Sequence, residues 1–300
     1  MSTIHPQRNI YQSLEAELCK PLPTGRKIFN SAMTAIAFTL TGLALLPLLA
    51  ILIEILRQGI PHLKPEVFVS LPAPVGVQGE PNGFGNAIVG TLMIVAIASL
   101  LSIPFGMMTG IFLSELGQGT ASANFVRFLT TVLTGVPSII AGVFAYGVIV
   151  LTTKEFSAIA GGFALSVLML PVVALTTEQA LKLVPTDQRL ASAALGASRL
   201  QTTFRVVVAA AIPAITTGIL LAVARAAGET APLLFTALYS EVWPEGFFSP
   251  TPALSVLIYK YASSPFPEQN QMAWTASVVL VGIVLCISII SRLVTRRYIR

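Results

Sequence analysis

The chain has 300 residues, of which 54% are hydrophobic and only 10% are charged, and its formal net charge is +5. Soluble domains carry about 25% charged residues, so this composition excludes an ordinary soluble protein and predicts an integral membrane protein. The basic residues flank apolar runs instead of alternating with aromatic residues, which excludes a nucleic-acid-binding face, and the few cysteines and histidines are too scattered for a metal site.

The chain begins with a polar segment, residues 1–27, that we interpret as a cytoplasmic tail because it has no apolar stretch followed by a cleavage site. Six apolar runs follow, each long enough for the roughly 20 residues that a helix needs to cross the hydrocarbon core. The runs are 28–56, 86–113, 125–151, 159–177, 209–238 and 273–294. The sequence therefore predicts an all-α integral membrane protein whose six transmembrane helices form one domain, residues 28–300.

The lysines and arginines predict the orientation of these spans. Thirteen of the 18 fall on one side of the six-span arrangement and four on the other, while Arg225 falls inside a span. By the positive-inside rule, both termini and the loop of about residues 178–208 are cytoplasmic. The two long external loops, 58–85 and 239–272, are rich in proline and glycine, and we expect no long helix in either.

A break is expected inside the third run, at the sequence Gly135-Val136-Pro137-Ser138. A proline removes a backbone hydrogen bond from a helix, and broken segments within the membrane often line a solute path. Pro137 and Ser138 are therefore candidate pathway residues. The alternative is an ordinary packing kink.

The cytoplasmic loop contains an alanine-rich segment, 187–201, that favours a short helix. Leu190, Ala194 and Leu195 fall roughly on one face of this helix. Gly196 lacks a side chain and would let a partner's backbone approach closely. Alternatively, the segment is an amphipathic helix that rests on the membrane surface.

The fifth run carries Arg225 and Glu229, which are four residues apart and are expected to form a buried ion pair on one helix face. The pair either fixes helix packing or forms an anion site, since arginine offers a planar pair of donors to a tetrahedral oxyanion. Glu229 would accept a hydrogen bond from a protonated oxygen, which phosphate has and sulfate lacks. Thr230 adds a hydroxyl that either serves the ligand or bonds back to its own helix.

The cytoplasmic loop resembles the EAA loop of binding-protein-dependent ABC permeases. The residues that match are Ala191, Ala194, Leu195, Gly196, Ala197 and Ser198, with Val206, Val207, Pro213 and Ile215 farther along. The motif's glutamate is replaced by Leu190, and the first proline of its downstream pair is replaced by Ala209. The resemblance implies a coupling helix between the fourth and fifth spans that docks on a separate ATPase.

Three further strings are similar to the permease subunits of bacterial phosphate ABC importers: ARAAGETAPLLF, TGVPSIIAGVFAYG and IYKYASSPF. The similarity begins near residue 29 and implies the fold of type I ABC importer permeases in the bacterial inner membrane. It further implies a path for inorganic phosphate through Arg225 and Glu229, a sister permease PstC, a dimer of the ATPase PstB, and the phosphate-binding protein PstS. By the same resemblance, ATP and Mg²⁺ are bound by the partner ATPase.

The chain contains no phosphate-binding loop of the type GxxxxGK[ST] and no set of residues typical of a hydrolase, so we expect a non-catalytic subunit. Two alternatives remain. A permease for another oxyanion, such as sulfate, molybdate or phosphonate, is disfavoured by Glu229 and by the RAAGET string. A passive anion channel or membrane sensor is disfavoured by the coupling loop, for which a channel has no use.

Overall fold

The computed structural model describes residues 23–76 and 81–298, which are mostly helical and contain no strand within those ranges. The longer helices of these ranges, numbered in chain order, are α1 (Thr24–Gly59), α2 (Gly85–Ile111), α3 (Ala121–Thr134), α4 (Ser138–Ala145), α5 (Ala158–Lys182), α6 (Thr186–Ala194), α7 (Val208–Ala227), α8 (Ala231–Thr236), α9 (Leu254–Ala262) and α10 (Pro267–Tyr298). The shorter elements are 3-10 turns at Ile60–His62 and Pro65–Phe68, π turns at Phe112–Leu116, Tyr146–Val150 and Thr202–Val207, and single helical turns at Leu151–Thr153 and Arg199–Gln201. The predicted tail, residues 1–27, lies outside the described residues up to position 22.

The chain divides into two units, residues up to Glu54 and residues from Ile55 onward. In the first unit, the described residues form most of α1, an apolar helix that confirms the first predicted span and extends it by a few residues. Across the described residues, five helical stretches are long and apolar enough to cross a membrane, and the α3–α4 pair provides a sixth if its two halves belong to one span.

Two of the predicted runs are broken: the third run at the expected place, and the fifth run, which the sequence analysis treated as continuous. The third run bends by 104° between α3 and α4. Gly135 ends α3, and Pro137 disfavours helical backbone at the residue before it, so a new helix begins at Ser138. The fifth run ends at Ala227 and resumes as the short helix α8, which has Pro232 in its first turn. Both breaks therefore have a local cause in glycine and proline.

The external loops agree with their prediction. The first contains only the two 3-10 turns in its described part, and the second contains the nine-residue helix α9 before α10 begins at Pro267. The phenol of Tyr239 donates a hydrogen bond of 3.1 Å to Tyr261 Oη on α9, and the Lys260 ammonium lies 3.6 Å from the centre of the Tyr239 ring. These contacts hold α9 against the segment that follows α8.

The helix α5 is the most buried of the candidate spans and forms the centre of the second unit. Its apolar residues share a core with residues of α2 and α7, including Ile94, Ala98, Leu165, Met169, Val173 and Ala222. Gly106 and Gly110 of α2 lie directly against Val173 and Thr177 of α5. Small residues at a helix interface let the backbones approach closely, which is the main source of packing energy where lipid replaces water.

The predicted cytoplasmic loop and the segment that follows α8 lie at opposite ends of α5. At its start, Ile159 N donates to the carbonyl of Phe247, which belongs to the segment after α8. At its end, the carbonyl of Leu181 accepts from Arg189 Nη2, which belongs to the predicted coupling helix. A helix of this length spans about 37 Å at 1.5 Å per residue. The fold therefore separates the two loops by about the thickness of a membrane.

Candidate functional site

The predicted ion pair is present, but it is not buried within this chain. Arg225 Nε lies 3.5 Å from Glu229 Oε1, and the two side chains are 70% and 19% exposed, respectively. The prediction of a buried pair on one continuous helix is wrong because α7 ends at Ala227 and Glu229 lies in the break. Arg225 thus occupies the last turn of α7 with most of its side chain turned away from the protein interior.

Glu229 is held in place through its backbone. Its amide donates to the carbonyl of Ala226 (3.2 Å), and its own carbonyl accepts a hydrogen bond of 2.8 Å from Ser255 Oγ on α9. Arg225 and Glu229 line a crevice against α5, beside Met169, that has room for about one water molecule. A crevice of this size does not enclose a tetrahedral anion.

Thr230 precedes the first residue of α8 and makes no side-chain hydrogen bond to the first turn of that helix. Its carbonyl accepts from the amides of Leu233 and Leu234. The side chain is half-buried next to Glu229 in sequence. The backbone of Thr230 therefore begins α8, and its hydroxyl does not cap the N-terminus of that helix.

The break in the third span lies close to the break in the fifth. Pro137 and the half-buried Ser138 begin α4, where the carbonyl of Pro137 accepts from Ile140 N at 3.0 Å. One turn farther on, Gly142 lies against α8, and a Cβ placed on Gly142 would be 2.6 Å from Pro232 Cα. Two candidate regions that are far apart in sequence are therefore neighbours in the structure, which their sequence patterns did not reveal.

The predicted coupling helix is shorter than expected. The segment 187–201 does not form one helix, because α6 ends at Ala194 and a new helical turn begins at Arg199. Gly196 has a φ of +81°. Its amide donates to Ala193 O and the amide of Ala197 donates to Ser192 O, which is the hydrogen-bond pattern of a Schellman helix end with glycine in the left-handed position.

The predicted coupling residues lie on an accessible surface of the loop. Five of them are exposed and Ala197 is half-buried; the exposed ones are Ala191, Ala194, Leu195, Gly196 and Ser198. Leu195 is 90% exposed, and Leu190, which replaces the motif's glutamate, is 62% exposed. Ser198 also forms a capping box with Gln201 that starts the next helical turn. We name these six residues with Leu190 the loop surface.

Two buried carboxylates near this loop were not selected from the sequence. Glu115, 8% exposed, pairs with Arg189 (Oε1 to Nη2, 2.9 Å), and Glu178, 3% exposed, pairs with Arg127 and Lys182 at 2.8 and 2.7 Å. Buried carboxylates are rarely tolerated without such partners. Their signal in the sequence was an acidic residue at the predicted cytoplasmic end of an apolar run, among many basic residues. A polar cavity of about 570 Å³ lies between Glu115 and the coupling loop.

Comparisons with known proteins agree on one family. The family model described as the binding-protein-dependent transport system inner membrane component matches residues 102–300. The phosphate transport system permease protein PstA of Haemophilus influenzae is 40% identical over 269 residues, which cover 89% of this chain and 94% of that protein. The probable phosphate transport system permease protein PstA of Methanocaldococcus jannaschii is 38% identical and covers 88% of this chain and 92% of its own length.

Solved structures share the fold at low sequence identity. A chain of a bacterial alginate ABC transporter aligns with a TM-score of 0.61 and 14% identity, covering 91% of this chain and 97% of its own. A chain of the MetNI methionine ABC transporter in an inward-facing conformation aligns with a TM-score of 0.58 and 20% identity, covering 72% and 98%. Both likenesses confirm the predicted fold class, that of ABC importer permeases.

Proposed function

The chain belongs to the binding-protein-dependent transport permeases and, within them, to the PstA phosphate permeases, and on this premise we propose that it forms half of a phosphate path. It is a multi-pass inner-membrane protein and a permease subunit of a phosphate ABC importer. The importer is a complex that includes an ATPase and a binding protein. The other half of the path in this proposal comes from a sister permease.

The proposed assembly contains PstC as the sister permease, two copies of PstB as the ATPase, and PstS as the phosphate-binding protein. In this arrangement ATP and Mg²⁺ are bound and turned over by PstB, and this chain is a non-catalytic subunit. Both termini and the loop surface face the cytoplasm, and the segment at the opposite end of α5, near Phe247, faces outward. The uneven distribution of lysine and arginine supports this orientation.

One observation carries the proposed path: Arg225 is 70% exposed beside Glu229, at the end of a broken apolar helix and in a crevice too small to enclose a phosphate. An arginine in a membrane segment faces a polar path or a partner. The guanidinium would bind two phosphate oxygens, and Glu229 would accept a hydrogen bond from a protonated one. Sulfate carries no such proton, so the carboxylate disfavours it.

The proposed coupling runs through the loop surface. Leu190 and Leu195 are large apolar side chains that project from a loop placed at the proposed cytoplasmic end of α5. Exposed apolar residues on a short, well-ordered helix suit a groove on a protein partner better than they suit water. ATP-driven movement of PstB would then move α6, and this movement would open the path alternately to the two sides.

The test is uptake of labelled phosphate by cells that lack the native chain and carry either the wild type or Arg225→Gln at matched membrane levels. Arg292→Gln removes an exposed arginine at the far end of α10 and is the charge-matched control. We expect loss of uptake in Arg225→Gln alone, and no competition by sulfate in the wild type. Normal uptake by Arg225→Gln would make the arginine a packing residue, and no phosphate uptake by the wild type with its partners would overturn the substrate.

A further inference from the structure

Glu115 lies where α2 ends, in the π turn Phe112–Leu116, and its carboxylate is almost completely buried. Glu115 Oε1 accepts hydrogen bonds from Arg189 Nη2 at 2.9 Å and from Ser114 Oγ at 3.1 Å. Arg189 belongs to α6, 74 residues farther along the chain. A buried ion pair thus joins the coupling helix to the end of a transmembrane helix.

Arg189 also binds the end of α5. Its Nη2 donates to the carbonyl of Leu181 at 2.8 Å and its Nη1 donates to the carbonyl of Val184. The last carbonyls of a helix lack partners within the helix and carry partial negative charge, so a guanidinium suits them. One side chain of α6 therefore holds the ends of both α2 and α5.

The second limb of the coupling loop, after the Gly196 turn, binds the same glutamate. Arg199 Nη2 donates to the backbone carbonyl of Glu115. The two limbs are also joined to each other, because Ser192 Oγ and Thr202 Oγ1 lie 2.9 Å apart. Glu115 is thus the point at which α6 and the turn after it both attach to α2.

The network continues to the bent span. Arg127 of α3 donates through Nη2 to the carbonyl of Leu113, in the same π turn as Glu115, at 3.3 Å. It also donates through Nε and Nη2 to Glu178 Oε1 of α5, at 3.0 and 2.8 Å. α3 ends at Thr134, seven residues after Arg127, at the break that precedes Pro137. Contiguous polar contacts therefore connect α6 with the helix that leads into the proposed path.

We propose that Glu115 is a positioning residue that passes the movement of α6 through the end of α2 to α3 and its break. The proposal rests on the proposed coupling function. Two properties suit Glu115 to this role: it is buried, so its ion pair is little screened by solvent, and it binds both limbs of the loop.

The experiment uses the complete transporter with its ATPase in proteoliposomes and compares the wild type, Glu115→Gln, Arg189→Lys and the double variant. Glu155→Gln, which alters an exposed glutamate in the connection before α5, is the matched control. Two quantities are measured: phosphate transported per ATP hydrolysed, and amide hydrogen exchange at residues 132–136 with and without trapped ATP. Arg189→Lys keeps the positive charge but cannot bind Glu115 and the α5 carbonyls at the same time, because lysine lacks the several N–H donors of the planar guanidinium.

We expect Glu115→Gln to hydrolyse ATP while transporting about fivefold less phosphate per ATP or lower still, and to lose the ATP-dependent change in exchange at 132–136. Arg189→Lys keeps the positive charge and should give a smaller loss, and the double variant should resemble Glu115→Gln because both changes act on the same Glu115–Arg189 ion pair. If the wild type transports no phosphate yet Glu115→Gln still removes its exchange response, the proposed substrate fails and the positioning role stands. The positioning role would be overturned if Glu115→Gln kept the wild-type ratio of phosphate to ATP and the wild-type change in exchange at 132–136. It would also be overturned if the amount of complex, ATP hydrolysis and transport all fell equally.

Discussion

At the scale of single residues, the backbone of Gly196 gives this residue a role that its place in the motif did not suggest. A Cβ on Gly196 would meet no atom within 4 Å in this chain, so contacts within the chain do not exclude a side chain at this position. The φ of +81° is the requirement, because a side chain in the left-handed region costs about 1–2 kcal/mol. The close approach of a partner is a second hypothesis for the same glycine, and the two hypotheses predict different substitution series.

We expect Gly196→Asn to retain more coupling than Gly196→Ala, and Gly196→Val to retain least. Asparagine tolerates the left-handed region despite its size, alanine does so less, and a β-branched residue least. The measurement is phosphate transported per ATP hydrolysed at equal amounts of complex. If Gly196→Ala instead retains more phosphate transport per ATP than Gly196→Asn, the order follows side-chain volume. The close approach of a partner is then the reason for glycine at this position.

Glu229 offers a second test at the residue scale. Its ion pair with Arg225 is 3.5 Å long and the Arg225 side chain is 70% exposed, and pairs with an exposed partner contribute about 0–1 kcal/mol to stability. We therefore expect Glu229→Gln to leave the amount and melting temperature of the complex nearly unchanged while it lowers phosphate uptake about tenfold, the size expected for one hydrogen bond to a charged group. Equal losses of uptake and of folded complex would show that the pair is mainly structural.

At the scale of elements, the contact between α4 and α8 brings the two broken spans together. Gly142 lies so close to Pro232 that a methyl group would press on the proline backbone, whereas a Cβ on Gly147, in the π turn after α4, would meet nothing within 4 Å. Both short helices begin within about two turns of this contact. The close packing of α4 on α8 therefore requires that residue 142 has no side chain.

We expect Gly142→Ala to destabilise the protein by about 1–3 kcal/mol, the usual range for overpacking, and to reduce uptake beyond its effect on the amount of complex. Gly147→Ala is the matched control and should leave both quantities nearly unchanged. Thermal unfolding in detergent and uptake at equal membrane levels measure the two effects. If Gly142→Ala changed neither the stability nor the uptake, α4 and α8 would be able to move apart at little energetic cost.

At the scale of the whole molecule, the helix α5 separates the loop surface from the segment near Phe247. Near its start Ile159 N donates to Phe247 O, and near its end Leu181 O accepts from Arg189. Ile159 and Leu181 lie about 33 Å apart along the helix axis. If α5 crosses the membrane, the two loops face different compartments. The proposed orientation places the loop surface in the cytoplasm.

Cysteine labelling tests this orientation. In a background in which Cys19 and Cys286 are replaced by alanine, Leu195→Cys and Phe248→Cys each introduce a thiol at a position whose side chain is 90% or 65% exposed, respectively. An impermeant maleimide should label Phe248→Cys in intact cells and Leu195→Cys only in inside-out vesicles. Bound ATPase should protect Leu195→Cys but not Phe248→Cys. The reverse pattern would place both termini outside.

The amino-acid pattern alone was enough to predict the membrane class and the approximate spans. It was enough because a membrane span is defined by local hydrophobicity and by the need to satisfy backbone hydrogen bonds within the helix. The helix end at Gly196 and the break at Pro137 were also encoded locally. The predicted single helix over 187–201 is wrong because α6 ends at Ala194, while the docking role of Gly196 stays a prediction beside its left-handed backbone.

Only the tertiary structure decided which of these regions meet. The contact of Gly142 with Pro232 and the ion pair of Glu115 with Arg189 join residues that lie far apart in the chain. The exposure of Arg225, which the sequence analysis expected to be buried, likewise depends on where α7 ends and which face it turns to α5. Such contacts depend on the rotation and packing of whole helices, and the local pattern of a single chain does not specify them.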